Sequence, residues 1–149
     1  TFANVKHGDL VKLKIRGREI IVLKPSTFMN LSGTAVNYYV QKHKIKLNNL
    51  LIISDDLHLP FGSLKIKRQG SAGGHNGHKN IIAKLNSIEY PRLKFGVGNN
   101  FKVGRQSNYV LGPWLKEEEQ ALPPLINSAV EMIVSFCTLG IDRTMLDYN

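Results

Sequence analysis

The sequence predicts an α/β layered fold, and two observations predict it. Segments of period-two alternation or short apolar runs take turns with segments of helical spacing, and glycine- and proline-bearing loops separate them. The composition is that of one domain able to bury a core: 149 residues, 42% apolar and 21% charged. No internal repeat or linker divides residues 1–149, which read as a single domain.

Leu10–Arg16 alternates apolar and basic residues. Gly17 offers a turn, and Glu19–Leu23 is a second apolar run, so the pair reads as a β-hairpin. Lys24–Gly33 is a loop punctuated by Pro25. A helix over about Gly33–His43 follows, with Ser32 able to cap it and Ala35, Val36, Tyr39 and Val40 on its inner face. Leu50–Ser54 is a continuous apolar run, expected of a strand buried on both faces, and it ends at Asp55-Asp56. Ser63–Arg68 alternates again. Gln69–Gly77 holds four glycines in nine residues, and His78–Leu85 has helical spacing. Leu93–Val97 is a short strand. Asn99–Ser107 is polar and reads as a mobile loop. Lys116–Leu122 opens a helix with three acids in its first turn, and Pro123-Pro124 predicts the start of another that runs to Leu139 and stops at Gly140.

The net charge is +9, and it is unevenly spread. Residues 1–50 carry nine Lys/Arg against two acids, residues 51–100 seven against three, and residues 101–149 four against six. The first two-thirds is therefore a basic body. Such a field favours polyanions, although a solvated lysine-rich surface has the same composition. No apolar run approaches the ~18 residues of a membrane span, so no membrane partner is expected. The single cysteine, Cys137, forms no internal disulfide, which fits a reducing compartment.

Three polar clusters fall after strands or in tight loops, where α/β folds place their sites. Asp55 follows a strand, and a carboxylate there either orients an imidazole or caps a turn. Asp56 is the weaker partner, because neighbours on a strand point to opposite faces. The Gly73–Gly77 loop lets backbone approach a ligand closely and leads into a helix N-terminus that attracts an anion or developing oxyanion. Asn76 and Asn30 are amides that can both donate and accept. Phe28 and Met29 beside Asn30 form either an apolar wall or plain core. Lys65 and Lys67 share one face of a strand, and Arg92 and Lys94 share one face of another, either as phosphate ligands or as solvated charges.

Four ordered blocks together resemble the bacterial-type peptidyl-tRNA hydrolases: Lys24-Pro25-Ser26-Thr27-Phe28-Met29-Asn30-Leu31-Ser32-Gly33, then Asp55-Asp56-Leu57 through Leu59-Pro60 and Gly62, then Gly73-Gly74-His75-Asn76-Gly77, then Tyr90 to Gly98. Tyr109-Val110-Leu111 and Met145–Asn149 fit the family's C-terminal region. The resemblance implies a three-layer fold, with a mixed central sheet flanked by helices but lacking the first strand and helix. It implies cleavage of the ester between a stranded peptide and its tRNA, with no metal or organic cofactor. Asp55 matches the aspartate that orients a general-base histidine. Asn30 and Asn76 match the amides that hold the peptide and the attacked carbonyl or water. Met29 with Phe28 matches a peptide-groove wall, and Gly74 and His75 belong to the supporting loop. Lys67 matches a phosphate-binding position, Lys94 stands where the family has Arg, and Arg92 belongs to the same basic strand.

The family's histidine lies in an early Arg-His-Asn type motif, between a first strand and a helix, and this sequence begins downstream of all three. None of His7, His43, His58, His75 and His78 sits in such a motif, while His58 and His78 depart from the family pattern. His58 is a substitute candidate through its closeness to Asp55. Three expectations stand side by side. The sequence is part of a working hydrolase, or another chain or a larger assembly supplies the segment. The last is an inactive structural component of a ribosome or other RNA–protein complex, bound to rRNA or tRNA, with an RNA-splicing or chaperone-like relative as a weaker variant. The expected location is a bacterial cytoplasm or the mitochondrial matrix.

Overall fold

The computed structural model describes residues 1–99 and 113–149. The predicted loop beyond Asn99 and the Tyr109-Val110-Leu111 block lie outside the described residues. Among the described residues, six strands and four α-helices run in the order β1 (Ala3–Val5), β2 (Gly8–Ile15), β3 (Arg18–Pro25), α1 (Ser32–Lys42), β4 (Ile52–Asp56), β5 (Leu64–Lys67), α2 (Asn76–Leu85), β6 (Arg92–Gly96), α3 (Lys116–Leu139) and α4 (Ile141–Tyr148).

The β2–β3 hairpin is in register from Gly8↔Pro25 to Ile15↔Arg18. Its two-residue turn needs positive φ at both centres, and Arg16 joins Gly17 there with φ of 50° and 80°. β1 adds an antiparallel edge to β2, a strand too short, at three residues, to be legible in the sequence. β4 pairs with β6 in parallel and β5 pairs with β6 antiparallel, giving the order β4-β6-β5. The central layer is thus mixed as expected. It consists of two three-stranded sheets, with β3 at the edge of one and β4 at the edge of the other.

Helices cover both sides. Ile66 and Leu93 of the sheet pack against Ala129, Met132 and Phe136 of α3 and Ile141 of α4. Val36 and Val40 of α1, Ile81 of α2 and Tyr90 form a second cluster, against which Ile52 packs. The predicted inner face of α1 is buried as a set.

Four local expectations change. Ser32 is the first residue of α1 rather than its cap: its hydroxyl turns back to donate to Met29 O at 2.7 Å, while Asn80 Oδ1 accepts from Gly33 N at 2.7 Å. α3 runs straight through Pro123 and Pro124. Proline's φ suits a helix, and the two carbonyls it frees belong to the exposed residues Glu119 and Gln120, where water can bond them. α3 is also long and apolar enough, by length and composition, to cross a membrane, which the residue-by-residue reading of apolar runs missed. Here its inner residues pack on the sheet. Finally, the strand expected to be buried on both faces leaves Ile53 53% exposed, because no described strand pairs with the second edge of β4.

Candidate active site

The C-terminal end of β4 delivers Asp55 and Asp56 to separate partners, as strand alternation requires. Asp55 Oδ1 lies 3.0 Å from His75 Nε2. His75 Nδ1 accepts the backbone N–H of His78 at 3.2 Å, which caps α2 and leaves the imidazole proton on Nε2 to be donated to Asp55. That hydrogen bond outweighs burial and holds the Asp55 carboxyl below its usual 3.8. Asp56 Oδ1 accepts His58 N at 2.7 Å, and Asp56 Oδ2 lies 3.4 Å from Lys94 Nζ.

His58 is therefore not the partner of Asp55. Its Nε2 donates to Gly73 O at 3.0 Å, tethering the glycine loop from the β4 side. Gly73 and Gly74 both have positive φ, 56° and 82°. Gly77 answers a different demand: a Cβ there would sit 2.8 Å from both Met29 Sδ and His75 Cε1. This close approach joins the Met29 turn to the glycine loop, so two of the predicted clusters meet in space.

Phe28 and Met29 are exposed, 81% and 53%, so they form surface rather than core. Asn30 and Asn76 are exposed as well, and their side-chain amides bond nothing among the described residues. Their chain neighbours Met29, His75 and Gly77 line one depression together with Asp55.

The basic residues divide. Lys65 lies opposite Lys94 and Lys67 opposite Arg92 in the β5–β6 register, so the four occupy one sheet face. Lys65 and Lys67 reach solvent. Arg92 does not: it is fully buried and donates to Ser71 O and Ile88 O at 3.0 Å each. Its expected role as a surface ligand is corrected, since every approach to its guanidinium is closed by loop backbone and the Tyr90 ring. Lys94 keeps its charge but spends it on Asp56.

The sequence reading passed over Ser54 and Tyr90 and took His78 only as a departure. His78 is 4% exposed, with Nε2 2.7 Å from Ser54 Oγ and Nδ1 2.8 Å from Tyr90 OH. Burial first, and then the neighbouring His75, Arg92 and Lys94, push its pKa down to about 4. A histidine three residues after His75, on the inner face of a helix, was the available signal.

The sequence model of one family, described as Peptidyl-tRNA hydrolase, matches residues 2–149. The chain belongs to the peptidyl-tRNA hydrolase family. It is 49% identical over 148 residues to the peptidyl-tRNA hydrolase of Porphyromonas gingivalis, covering 99% of this chain and 80% of that protein. It is 45% identical over 149 residues to that of Cytophaga hutchinsonii, covering all of this chain and 79% of that protein. The fold matches the crystal structure of peptidyl-tRNA hydrolase from Acinetobacter baumannii with a TM-score of 0.91 at 29% identity, covering 100% of this chain and 76% of that one.

Proposed function

We propose that this protein hydrolyses the ester between a peptide and its tRNA. The carrying observation is the Asp55–His75 pair at the N-terminus of α2, whose first residue Asn76 is exposed, as is Asn30 beside the Met29 that meets Gly77. Water attacks an ester carbonyl, negative charge grows on the carbonyl oxygen, and the tRNA ribose hydroxyl leaves. The α2 N-terminus and the Asn76 amide can stabilise that charge. Asn30 and the exposed Met29 and Phe28 suit the peptide side. Lys65 and Lys67 suit tRNA phosphates, and at such contacts charge sets affinity.

His75 does not serve as the base, because its Nε2 proton is given to Asp55 and its Nδ1 caps α2. We infer that the base is a histidine on a segment that seats as a strand between β3 and β4. The edges of both strands, with residues of α1, α2 and α3, line one cavity of about 780 Å³. The Thr27 hydroxyl on its wall is buried without a partner among the described residues, as expected of a group awaiting a polar neighbour. A seated strand would satisfy both open edges. The relatives named above are bacterial, which supports a bacterial cytoplasm over a mitochondrial matrix. No observation favours an inactive ribosomal component, since Asp55, Asn30, Asn76 and the glycine loop are intact.

The test is release of peptide from peptidyl-tRNA by the full-length protein. Release is expected, and Asp55→Ala should lower kcat about 10²–10³-fold, the scale of a general-base assembly. No release, together with stable co-sedimentation with ribosomes, would favour the structural component instead.

A further inference from the structure

Behind the glycine loop, three side chains form a column that the reaction above does not touch. The His78 ring stacks on Tyr90, with centroids 5.9 Å apart and planes 14° from parallel. The Arg92 guanidinium carbon lies 4.2 Å from the centroid of that Tyr90 ring. Ser54, on the strand that carries Asp55, closes the column through His78 Nε2 at 2.7 Å.

This column reaches the site at two points. Arg92 holds Ser71, at the start of the glycine loop, by its carbonyl. At the loop's other end, the backbone N–H of His78 bonds His75 Nδ1 and so keeps the proton on the nitrogen that faces Asp55. The rotation of α2 about its own axis therefore sets the tautomer of His75, its bond to Asp55 and the direction of Asn76. Apolar contacts such as those of Ile81 hold a helix at a distance but do not fix its rotation. Two hydrogen bonds at 2.7 and 2.8 Å from one rigid imidazole do fix it.

We infer that His78 is a positioning residue: wedged between Ser54 and Tyr90, its imidazole locks α2 to β4 and holds His75 and Asn76 where ester hydrolysis needs them. This rests on the reading of Asp55, His75 and Asn76 as the reacting site. An apolar residue of similar volume would keep the packing and lose the lock.

The experiment uses full-length protein, with the parent compared with His78→Leu and with the double variant Ser54→Ala/Tyr90→Phe. The double variant keeps the imidazole and removes both anchors, so it decides the matter if His78→Leu does not fold. Nitrogen-15 NMR of the His75 ring reads the tautomer, and steady-state hydrolysis reads kcat and KM. In the parent, His75 is expected as the single Nε2–H tautomer. In the folded variants the ring signals should shift towards a tautomer mixture, with kcat down about tenfold and KM within about twofold. A folded variant whose His75 ring signals match the parent overturns the inference. The ring signals decide even in a protein without hydrolysis, so failure of the proposed activity is told apart from failure of the lock.

Discussion

The two flanks of β4 are built differently. On the β6 side, five residues pair in register from Ile52↔Arg92 to Asp56↔Gly96. The end of the strand is then cross-linked by directional contacts: Ser54 to His78, Asp55 to His75, and Asp56 to His58 and Lys94. On the other side no described strand pairs with it, Ile53 is 53% exposed, and the edge opens on the 780 Å³ cavity shared with β3. Directional bonds fix atoms to within fractions of an ångström, whereas apolar walls fix only volume and shape. These bonds preorganise the Asp55 carboxylate, although Asp55 and His75 also line that cavity.

The largest test of that contrast is acid. His78 is neutral in the fold, with a pKa near 4 against an ordinary 6.5. Below pH 6.5 the unfolded chain takes up a proton that the folded one refuses. Stability present above that pH should therefore fall as pH drops towards 4, by roughly 3 kcal/mol. Asp55 acts in the same direction at lower pH, since its carboxyl is held below 3.8 and its contribution is lost only as pH falls through that lowered value. Urea midpoints between pH 7.5 and 4.5 measure this, and His78→Leu should flatten the curve. A flat profile in the parent would show that His78 is not buried and neutral.

Next in size is Gly77→Ala. The new methyl meets Met29 Sδ and His75 Cε1 at 2.8 Å, and overpacking of this kind costs about 1–3 kcal/mol. Thermal unfolding checks it, and an unchanged Tm would mean that the Met29 turn is not clamped to the loop. Lys67→Ala is smaller: KM should rise about threefold with kcat intact and with a shallower salt dependence. Steady-state kinetics at two salt concentrations tell this apart from an effect on chemistry. Smallest is Ile53→Ser on the open flank, where half-exposure predicts a change within about 0.5 kcal/mol in residues 1–149. A larger loss by urea titration would show that this flank is already closed.

Much of the contrast was legible before folding, and the illegible part has a common cause. The hairpin, the inner face of α1 and the order of the four motif blocks follow from periods of 2 and 3.6 and from residue identity, which are local. Asp55 over Asp56 as the imidazole's partner also followed, because strand alternation separates neighbours. The surroundings of Arg92 and Lys94 were not legible. Both alternate correctly onto one face, but Tyr90 and the loop carbonyls of Ser71 and Ile88 close over Arg92, and Asp56 takes Lys94. His78 looked like a substitution without purpose until Ser54 and Tyr90, 24 and 12 residues away in the chain, met its two nitrogens.

By itself, then, the sequence determined most of the strands and helices, though not β1, α4 or the unbroken run of α3, together with the basic character of the first two-thirds and the polar residues gathered at the end of β4, because each is carried by residues close together in the chain. Only the tertiary structure decided which histidine Asp55 holds, which cations reach solvent, and which edge of β4 is paired. Those outcomes depend on hydrogen bonds between separate segments, whose strength falls off within fractions of an ångström and which no local pattern encodes.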